Sequence, residues 1–371
     1  MASILKINNP TRKTYKILLA PLDWGLGHAT RCIPIIKELL INQYEVCVAA
    51  TGDQKALLKE EFPFLSFVEL PGYRIKYDKN RAFTLLKLIA SIPKILIRVK
   101  EENRWLRQFR EKEGVDMVIS DNRYGLWHTD LYCILITHQL NIQSGMGDWV
   151  DRWVQRWHYR LINRFNVCWV PDISAGTGLA GKLSHPAQMP DIPTHYIGLL
   201  SRMERSQLDK DETIDLLILL SGPEPQRSIL ERLLWEQLGS YKGTFIFVRG
   251  LPGGGSPLTG DNVYDHLPAW TLNKYLLKAR LVVARSGYST VMDLVRLQKR
   301  SILIPTPGQT EQEYLGKYLT AQRIAVCVNQ KGFSLMDAVS QAEQFSYVTV
   351  HEQEALLQDV MTHSFSSVRL G

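Results

Sequence analysis

The residues best suited to chemistry lie in a polar turn between two apolar runs in the C-terminal half of the chain. The run Ala279–Ala284 predicts a buried strand, and apolar residues between positions 291 and 297 predict a helix. The run Ser301–Pro305 predicts a second strand, so the segment has the pattern of a βαβ unit. Unpaired N–H groups and the positive end of the dipole make such a helix start attractive to an anion. The turn carries the candidate ligands Arg285, Ser286, Gly287, Ser289 and Thr290.

A phosphate suits this turn, and polar residues further along extend the candidate site. Asp293 lies one helical turn on, where its carboxylate could accept hydrogen bonds from a ribose beside the phosphates. Amide and carboxylate side chains that suit the hydroxyl groups of a sugar follow the second strand: Gln309, Glu311 and Gln312. The alternative is that the serine, threonine and glycine residues only cap a helix, as they often do.

The order of these groups resembles the donor site of glycosyltransferases with the GT-B fold, and of the MurG-like family in particular. An RSG tripeptide, hydroxyl residues, a carboxylate, an ILIP strand and a GQTEQ segment follow one another between residues 285 and 312. The resemblance implies an α/β protein with two Rossmann-like domains that face a cleft. It also implies a nucleotide sugar, UDP-linked, as the donor.

The same resemblance assigns two further segments to the donor site. A loop with Gly222 and Arg227 corresponds to the glycine loop beside the donor phosphates, although its two prolines depart from the glycine-rich pattern of MurG. His266 and Leu267 lie in the segment where relatives recognise the nucleotide base, largely through backbone groups.

A second glycine-containing turn follows the first predicted strand, Tyr15–Leu22. Gly25 and Gly27 allow a sharp turn into a helix, and His28 lies at the entrance of that helix, with Arg31 just behind. From the residues alone, His28 is either a general base or a helix cap. The GLGHATR run resembles the first loop of the GT-B N-terminal domain, and this resemblance favours His28 as the base.

Further polar residues follow later strands of the same half. Predicted strands alternate with helices there, which indicates a parallel sheet. The loops after parallel strands gather at one edge, so we expect Asp121, Arg123 and His138 to lie near His28 on the acceptor side of the cleft. Asp121 would orient His28, and Asp121 or His138 is the alternative base.

Length and composition fit an ordinary protein of two domains. The chain has 371 residues, of which 45% are hydrophobic and 22% charged, and it can bury two cores. We expect an acceptor-binding domain at residues 1–200 and a nucleotide-sugar-binding domain at residues 213–350, joined by the polar segment Ser201–Glu212. The resemblance implies that a C-terminal helix within residues 351–371 packs back onto the first domain.

The cysteines and the charge predict the compartment and the kind of partner. The cysteines are scattered without a CxxC motif, which indicates buried thiols of a reducing compartment: Cys32, Cys47, Cys133, Cys168 and Cys327. A signal peptide and a membrane-spanning window are both missing, so we expect a cytoplasmic protein. The net charge of +7 favours anionic partners such as nucleoside diphosphates or anionic lipid. No nucleic-acid-binding signature accompanies it.

Two basic, apolar segments could contact a membrane. Lys79–Arg110 has the pattern of two helices broken at Pro93, and Asp148–Arg164 is a single helical pattern. The second segment places tryptophans at helical spacing beside a stripe of arginines: Trp149, Trp153 and Trp157. A basic amphipathic helix with tryptophans can lie on an anionic surface, here the inner face of the membrane. More often an aromatic stripe is core and a basic stripe is solvated.

The resemblance to GT-B glycosyltransferases also implies the reaction. We expect an inverting, metal-independent transfer of a sugar to an acceptor, which could be lipid-linked. The sequence Asp209-Lys210-Asp211 lies in the polar linker, away from any strand, so we expect no bound metal and no cofactor. The alternatives are a UDP-sugar epimerase that hydrolyses its donor, and a non-catalytic nucleotide-sugar-binding protein.

Overall fold

The computed structural model describes residues 15–70, 72, 81–142, 147–206, 213–252, 254, 258, 260–351 and 356–369. The side chains at positions 81–93, 148 and 367–369 are not among those described. Two parallel sheets flanked by helices form the molecule, which confirms the predicted pair of Rossmann-like domains. The Asp-Lys-Asp sequence at 209–211 lies outside the described residues.

The N-terminal domain contains a parallel sheet of seven strands in the order β3-β2-β1-β4-β5-β6-β7. Its central strands are almost continuously apolar because helices cover both faces of the sheet. The strands are β1 Lys16–Pro21, β2 Glu45–Ala49, β3 Ser66–Val68, β4 Met117–Asp121, β5 Tyr132–Ile136, β6 Val167–Val170 and β7 Thr194–Tyr196. The helices are α1 Leu26–Ile41, α2 Gly52–Glu61, α3 Arg81–Glu113 and α4 Asp148–Ile162.

The C-terminal domain repeats this plan with six parallel strands in the order β10-β9-β8-β11-β12-β13. The strands are β8 Ile214–Leu219, β9 Phe245–Val248, β10 Val263–Tyr264, β11 Ala279–Ala284, β12 Ser301–Leu303 and β13 Val326–Cys327. The helices are α5 Gln226–Leu238, α6 Ala269–Lys278, α7 Tyr288–Arg296, α8 Thr310–Ala321, α9 Leu335–Gln344 and α10 Leu356–Arg369. The predicted βαβ unit is confirmed as β11, α7 and β12.

The strand orders define where ligands should bind. The chain changes direction across the first sheet between β1 and β4, and across the second between β8 and β11. Crevices in parallel sheets form at such switch points, beyond the carboxyl ends of the strands. The turn with His28 follows β1, and the polar turn at 285–290 follows β11. Both predicted sites therefore lie at switch points.

One predicted element differs from the structure. The expected pair of helices around Pro93 is a single helix, α3. A proline inside a helix removes one hydrogen-bond donor and can kink the helix without ending it. The prediction of a break was therefore wrong, and the basic residues before position 94 lie outside the described side chains.

The C-terminal helix α10 packs against the N-terminal domain. The buried ring of Phe365 meets Tyr44 edge-on, with ring centroids 5.1 Å apart, and lies beside Trp169. The indole N–H of Trp169 donates to Ser364 Oγ at 3.3 Å. The chain therefore crosses to the second domain through the linker and returns to the first with its last helix.

Phe365→Ala should weaken this contact. Truncating a buried phenylalanine typically costs about 3–5 kcal/mol of unfolding free energy, because the transfer energy is lost and a cavity remains. We expect a lower urea midpoint, measured by fluorescence, than for the wild type. Gln358→Ala changes an exposed position of the same helix and serves as control. Equal midpoints for the two variants would contradict the packing role.

Candidate active site

The first candidate side chain is positioned by the turn between β1 and α1. Gly25 precedes α1 with a φ of 69°, a value that favours glycine, and no described side chain caps the helix. The carbonyl of Gly25 accepts a hydrogen bond from Gln54 Nε2 at 2.7 Å, which fixes the turn. His28 lies in the first turn of α1, and its ring bonds to side chains. It is therefore not the helix cap that the sequence left as an alternative.

His28 meets a buried carboxylate at the end of β4. Its Nδ1 lies 2.9 Å from Asp121 Oδ2. Arg31 reaches the same carboxylate, with Nε donating to Oδ2 at 2.8 Å and Nη2 donating to Oδ1. Nη2 of Arg31 also lies 2.8 Å from His28 Nδ1. Strand β4 pairs with β1 up to Pro21–Asp121, and this register places the carboxylate beside the start of α1.

Burial and charge set the protonation states of this cluster. Burial alone would raise the pKa of Asp121, but the charges of Arg31 and His28 and their hydrogen bonds outweigh it and lower that pKa to about 2. The pKa of His28 is lowered, first by burial and then by Arg31, while Asp121 opposes both. At neutral pH the cluster therefore holds an ionised carboxylate beside a neutral imidazole.

His138 and Gln139 connect this cluster to the second domain. Nη1 of Arg31 lies 3.3 Å from His138 Nδ1, and His138 Nε2 lies 3.0 Å from Glu311 Oε1 on α8. The side-chain amide of Gln139 donates to the other oxygen of Glu311. The ring of His138 stacks on Tyr288 of α7, with centroids 4.3 Å apart. A continuous polar chain thus runs across the cleft from Asp121 to α8.

Arg123 lies away from this chain of contacts. Its guanidinium is buried and donates to the carbonyl of Pro21 at 2.8 Å and to Glu102 Oε1 of α3 at 2.8 Å. Its Nη2 is 3.6 Å from Asp23. Arg123 therefore ties α3 to the end of β1, and its charge is matched by carboxylates.

The polar turn after β11 leads into a helix that no described side chain caps. Gly287 is the N-cap of α7, and a Cβ at this position would have nothing within 4 Å. Ser286 Oγ donates to the carbonyl of Gln312 at 2.8 Å, and Ser289 Oγ donates across the cleft to the carbonyl of Gly27 at 3.0 Å. Thr290 is half-buried. The serines therefore join neighbouring elements, and the first N–H groups of α7 stay available.

Arg285 is a buried cation behind this helix start. Its side chain is 1% exposed and donates to the carbonyls of Ile304, Pro305 and Gln226 and to Gln330 Oε1. Within the described residues its Nε has no hydrogen-bond partner, and no carboxylate is bonded to it. Burial lowers its pKa to about 10, so the group remains charged at neutral pH. The turn was expected to present Arg285 to a ligand, whereas the guanidinium lies inside the domain.

Asp293 lies against the linker between the domains. Its Oδ1 accepts a hydrogen bond from Ser201 Oγ at 2.6 Å. Burial raises its pKa to about 6, although Arg202 and the Ser201 bond act in the opposite direction. The carboxyl expected to meet a ribose is therefore also a contact of the connecting segment.

The remaining predicted donor residues are spread over several elements. Gly222 follows β8 with a φ of 102°, and a Cβ at this position would have no described atom within 4 Å beyond its chain neighbours. Arg227 is buried and bonded to Glu224 at 2.6 Å and to Glu231 at 2.7 Å, so its charge is matched within its own helix region. His266 is partly buried, and Leu267 packs in the core.

The amides after β12 bond mainly to each other. Gln312 Nε2 donates to Gln309 Oε1 at 2.5 Å, and Gln312 Oε1 accepts from the backbone N–H of Thr306 at 2.9 Å. These bonds fix the loop that leads into α8, and Glu311 of the same run is the residue that reaches across the cleft.

Sequence reasoning missed three residues that help to build the site: Gln139, Tyr288 and Ser201. Gln139 follows a residue that the strand-end argument selected, so the same argument would have found it. Tyr288 lies inside the polar turn at 285–290. Only its stacking on His138 and the hydrogen bond of its hydroxyl to the carbonyl of Pro171, at 2.8 Å, reveal its role. Nothing in the pattern around Ser201 signals its contact with Asp293.

Comparison with known proteins agrees with this architecture. Residues 260–356 match the glycosyltransferase family 28 C-terminal domain. The chain is 22% identical to the UDP-N-acetylglucosamine–N-acetylmuramyl-(pentapeptide) pyrophosphoryl-undecaprenol N-acetylglucosamine transferase of Crocosphaera subtropica, over 88% of this chain and 89% of that protein. The solved structure of Acinetobacter baumannii MurG superposes with a TM-score of 0.52 at 13% identity, covering 95% of this chain and 94% of that one. The glycosyltransferase SnogD of Streptomyces nogalater gives 0.55 at 15% identity, with coverages of 95% and 94%.

The fold and the matches support a glycosyltransferase of the GT-B class, an enzyme that transfers a sugar from a nucleotide-sugar donor to an acceptor. Within this class the chain is MurG-like, as the sequence predicted. Among the helices of the described residues, none has the length and apolar character needed to cross a membrane.

Asp293→Asn tests the buried environment of this carboxyl. A carboxyl whose pKa is raised on folding, here from 3.8 to about 6, destabilises the folded protein above that pKa and ceases to do so as the pH falls toward 4. At pH 8 the free energy of unfolding of the asparagine variant should therefore exceed that of the wild type by about 1–2 kcal/mol, after allowance for partial exposure. The variant should accordingly unfold at a higher urea concentration. The difference should vanish near pH 4.

Asp261→Asn, at an exposed position of the same domain, is the control for the substitution itself. If the stability gap between Asp293→Asn and the wild type is the same at pH 4 and pH 8, the carboxyl does not titrate as the contacts require.

Proposed function

We propose that the protein is an inverting, metal-independent glycosyltransferase that uses a UDP-sugar, with His28 as general base and Asp121 as its orienting carboxylate. The observation that carries this proposal is the 2.9 Å contact of His28 Nδ1 with Asp121 at the switch point of the first sheet. A neutral imidazole held by a buried carboxylate is suited to take a proton at neutral pH.

The chemistry follows from the charge of this pair. Nη2 of Arg31 already donates to Asp121 Oδ1, so Nδ1 of His28 keeps its proton and donates it to Asp121 Oδ2. In this tautomer the lone pair of Nε2 is free to accept the proton of an acceptor hydroxyl. The acceptor oxygen then attacks the anomeric carbon as the bond to the diphosphate breaks on the opposite side, which inverts the configuration. Asp121 stabilises the imidazolium that forms. The displaced nucleoside diphosphate leaves with the negative charge.

The positive charge that the leaving group needs is built into the second domain. The uncapped start of α7 offers backbone N–H groups beside open space at Gly287, and the uncapped start of α8 follows β12. The buried guanidinium of Arg285 behind the same turn adds a full charge that no bonded carboxylate matches among the described residues. Fixed donors and charges of this kind stabilise a departing anion without a metal.

His28→Ala should reduce turnover about 10²- to 10⁴-fold, the usual contribution of a general base. A thermal-shift screen with UDP and UDP-sugars identifies the donor, since a ligand of the native state raises the melting temperature. Turnover is then measured as UDP release with polyprenyl-linked lipid extracts as the acceptor source. Donor binding should stay nearly unchanged in His28→Ala. EDTA should not affect the turnover rate of the wild type.

His351→Ala changes an exposed histidine far along the chain and serves as the control. Wild-type turnover in His28→Ala would remove His28 as the base, and a product with the donor's anomeric configuration would contradict inversion. UDP release or epimerisation without any acceptor would favour the epimerase alternative. Donor binding with no conversion under any condition would favour a non-catalytic binding protein.

We propose further that α4 rests on an anionic membrane surface, where a lipid-linked acceptor would be found. Trp149 is 74% exposed and Trp153 is 56% exposed, so the expectation that this aromatic stripe is core was wrong for both. Trp157 is half-buried. Arginines 152 and 156 of the same helix are exposed and add positive charge. Exposed indoles beside arginines on one amphipathic helix suit the interface of an anionic bilayer.

The double variant Trp149→Ser/Trp153→Ser should lose most of its binding to vesicles of phosphatidylglycerol and phosphatidylcholine in a sedimentation assay. Trp270→Ser is the matched control, because Trp270 is also 74% exposed but lies on α6 of the other domain. Binding of the wild type should fall as salt rises. Equal sedimentation of the double variant and Trp270→Ser would contradict the proposal. Equal sedimentation of the wild type with neutral and with anionic vesicles would contradict it as well.

A further inference from the structure

We propose that Arg31 is a positioning residue of the base: it holds Asp121 in one orientation and balances its charge, so that His28 stays free of a proton until the acceptor arrives. This inference rests on the proposed role of His28. The sequence grouped Arg31 with the acceptor-side residues, but its side chain is only 2% exposed and its donors are directed at other side chains of the cluster. Contact with an acceptor is therefore not its function.

The geometry of the pair is that of a clamp. Nε of Arg31 donates to Oδ2 of Asp121 at 2.8 Å, and Nη2 donates to Oδ1, so both oxygens are held by one planar group. Asp121 itself is fully buried. A two-point contact fixes the plane of the carboxylate, which a single contact with His28 would not do. Arg31 follows His28 by one turn of α1, so the same helix carries the base and the clamp.

The charges around His28 come from several elements, and their sum decides its protonation. Asp121 contributes a negative charge from β4 and Arg31 a positive one from α1. Among the described residues, further titratable neighbours of the pair are His138 at the end of β5, Glu311 on α8 and the buried thiol of Cys32, 4.0 Å from Asp121 Oδ2. A lone buried carboxylate would stabilise the imidazolium and leave His28 already protonated. With Arg31 present, the pair is neutral and the imidazole keeps its free nitrogen.

Arg31 contacts His138 of its own domain, and His138 in turn contacts the second domain. Its Nη1 lies 3.3 Å from Nδ1 of His138, and a donor at that position requires the tautomer of His138 that carries its proton on Nε2. That proton then points at Glu311 Oε1, 3.0 Å away on α8. The clamp on Asp121 is thus supported by His138, whose own orientation is fixed by a contact between the two domains.

The test compares Arg31→Met, which removes the charge, with Arg31→Lys, which keeps the charge but not the two-point contact. Nitrogen NMR of labelled histidine follows the titration of His28 directly and requires no substrate. In Arg31→Met the pKa of His28 should rise by about one unit or more, because a like charge has been removed beside it. The acid limb of the kcat/KM profile should move to higher pH by the same amount.

In Arg31→Lys the acid limb should stay near its wild-type position. The kcat should nevertheless fall about 10-fold or more, with the KM for donor unchanged, because the carboxylate is no longer fixed in its plane. Should Arg31→Met fail to fold, since it leaves a buried carboxylate unpaired, the kcat of Arg31→Lys decides the question.

Three results would overturn the proposal. The first is a pKa of His28 in folded Arg31→Met that equals the wild-type value. The second is a wild-type kcat in Arg31→Lys. The third is a raised KM for the donor in Arg31→Lys, which would point to a role in donor binding. Failure of the proposed function has a different signature: His28→Ala would then keep its turnover, while the NMR titration would still report the effect of Arg31 on His28.

Discussion

The packing of two helix starts against each other is the constraint on which the whole site depends. α1 of the first domain and α7 of the second meet at their N-termini, where Ser289 Oγ donates to the carbonyl of Gly27. A Cβ at Gly27 would come within 2.9 Å of that hydroxyl, so a larger residue would displace Ser289 from this hydrogen bond. Because each helix follows a strand at a switch point, this packing brings His28 of the first domain and the polar turn at 285–290 of the second to the same cleft.

Much of this arrangement could be predicted from the sequence. Apolar runs mark the strands, and the parallel order of the strands brings their carboxyl ends to one edge. Asp121 and His138 were chosen for following strands of one half of the chain, and His28 also for the GLGHATR run; the structure joins all three through Arg31. Position at a strand end was enough to predict that these residues lie together. The pairing along the strands fixes where each strand ends, and the side chains at the ends do not alter that pairing.

The arginines show where prediction from sequence fails. Four of them appeared suited to contact ligands, and all four are buried: Arg31, Arg123, Arg227 and Arg285. For three of them the partners come from elements distant in the chain, as Glu102 on α3 does for Arg123, or are carbonyl groups, as for Arg285. Arg227 instead bonds to Glu224 and Glu231 of its own helix region. A guanidinium has five donors and bonds to whatever acceptors the fold brings near it. Local sequence does not reveal those acceptors, so it cannot tell a ligand contact from a structural one.

The contacts of Glu311 have a consequence for affinity. This carboxylate is already bonded to His138 and Gln139 across the cleft. A sugar hydroxyl that binds Glu311 must therefore replace bonds that the protein makes with itself, and such an exchange of partners yields little net free energy. The number of polar contacts in a filled cleft would accordingly overstate how tightly the donor is held. Weak retention of the sugar in this way would raise the donor concentration needed for saturation, while release of the spent nucleoside diphosphate, which no longer carries the sugar, would be unaffected.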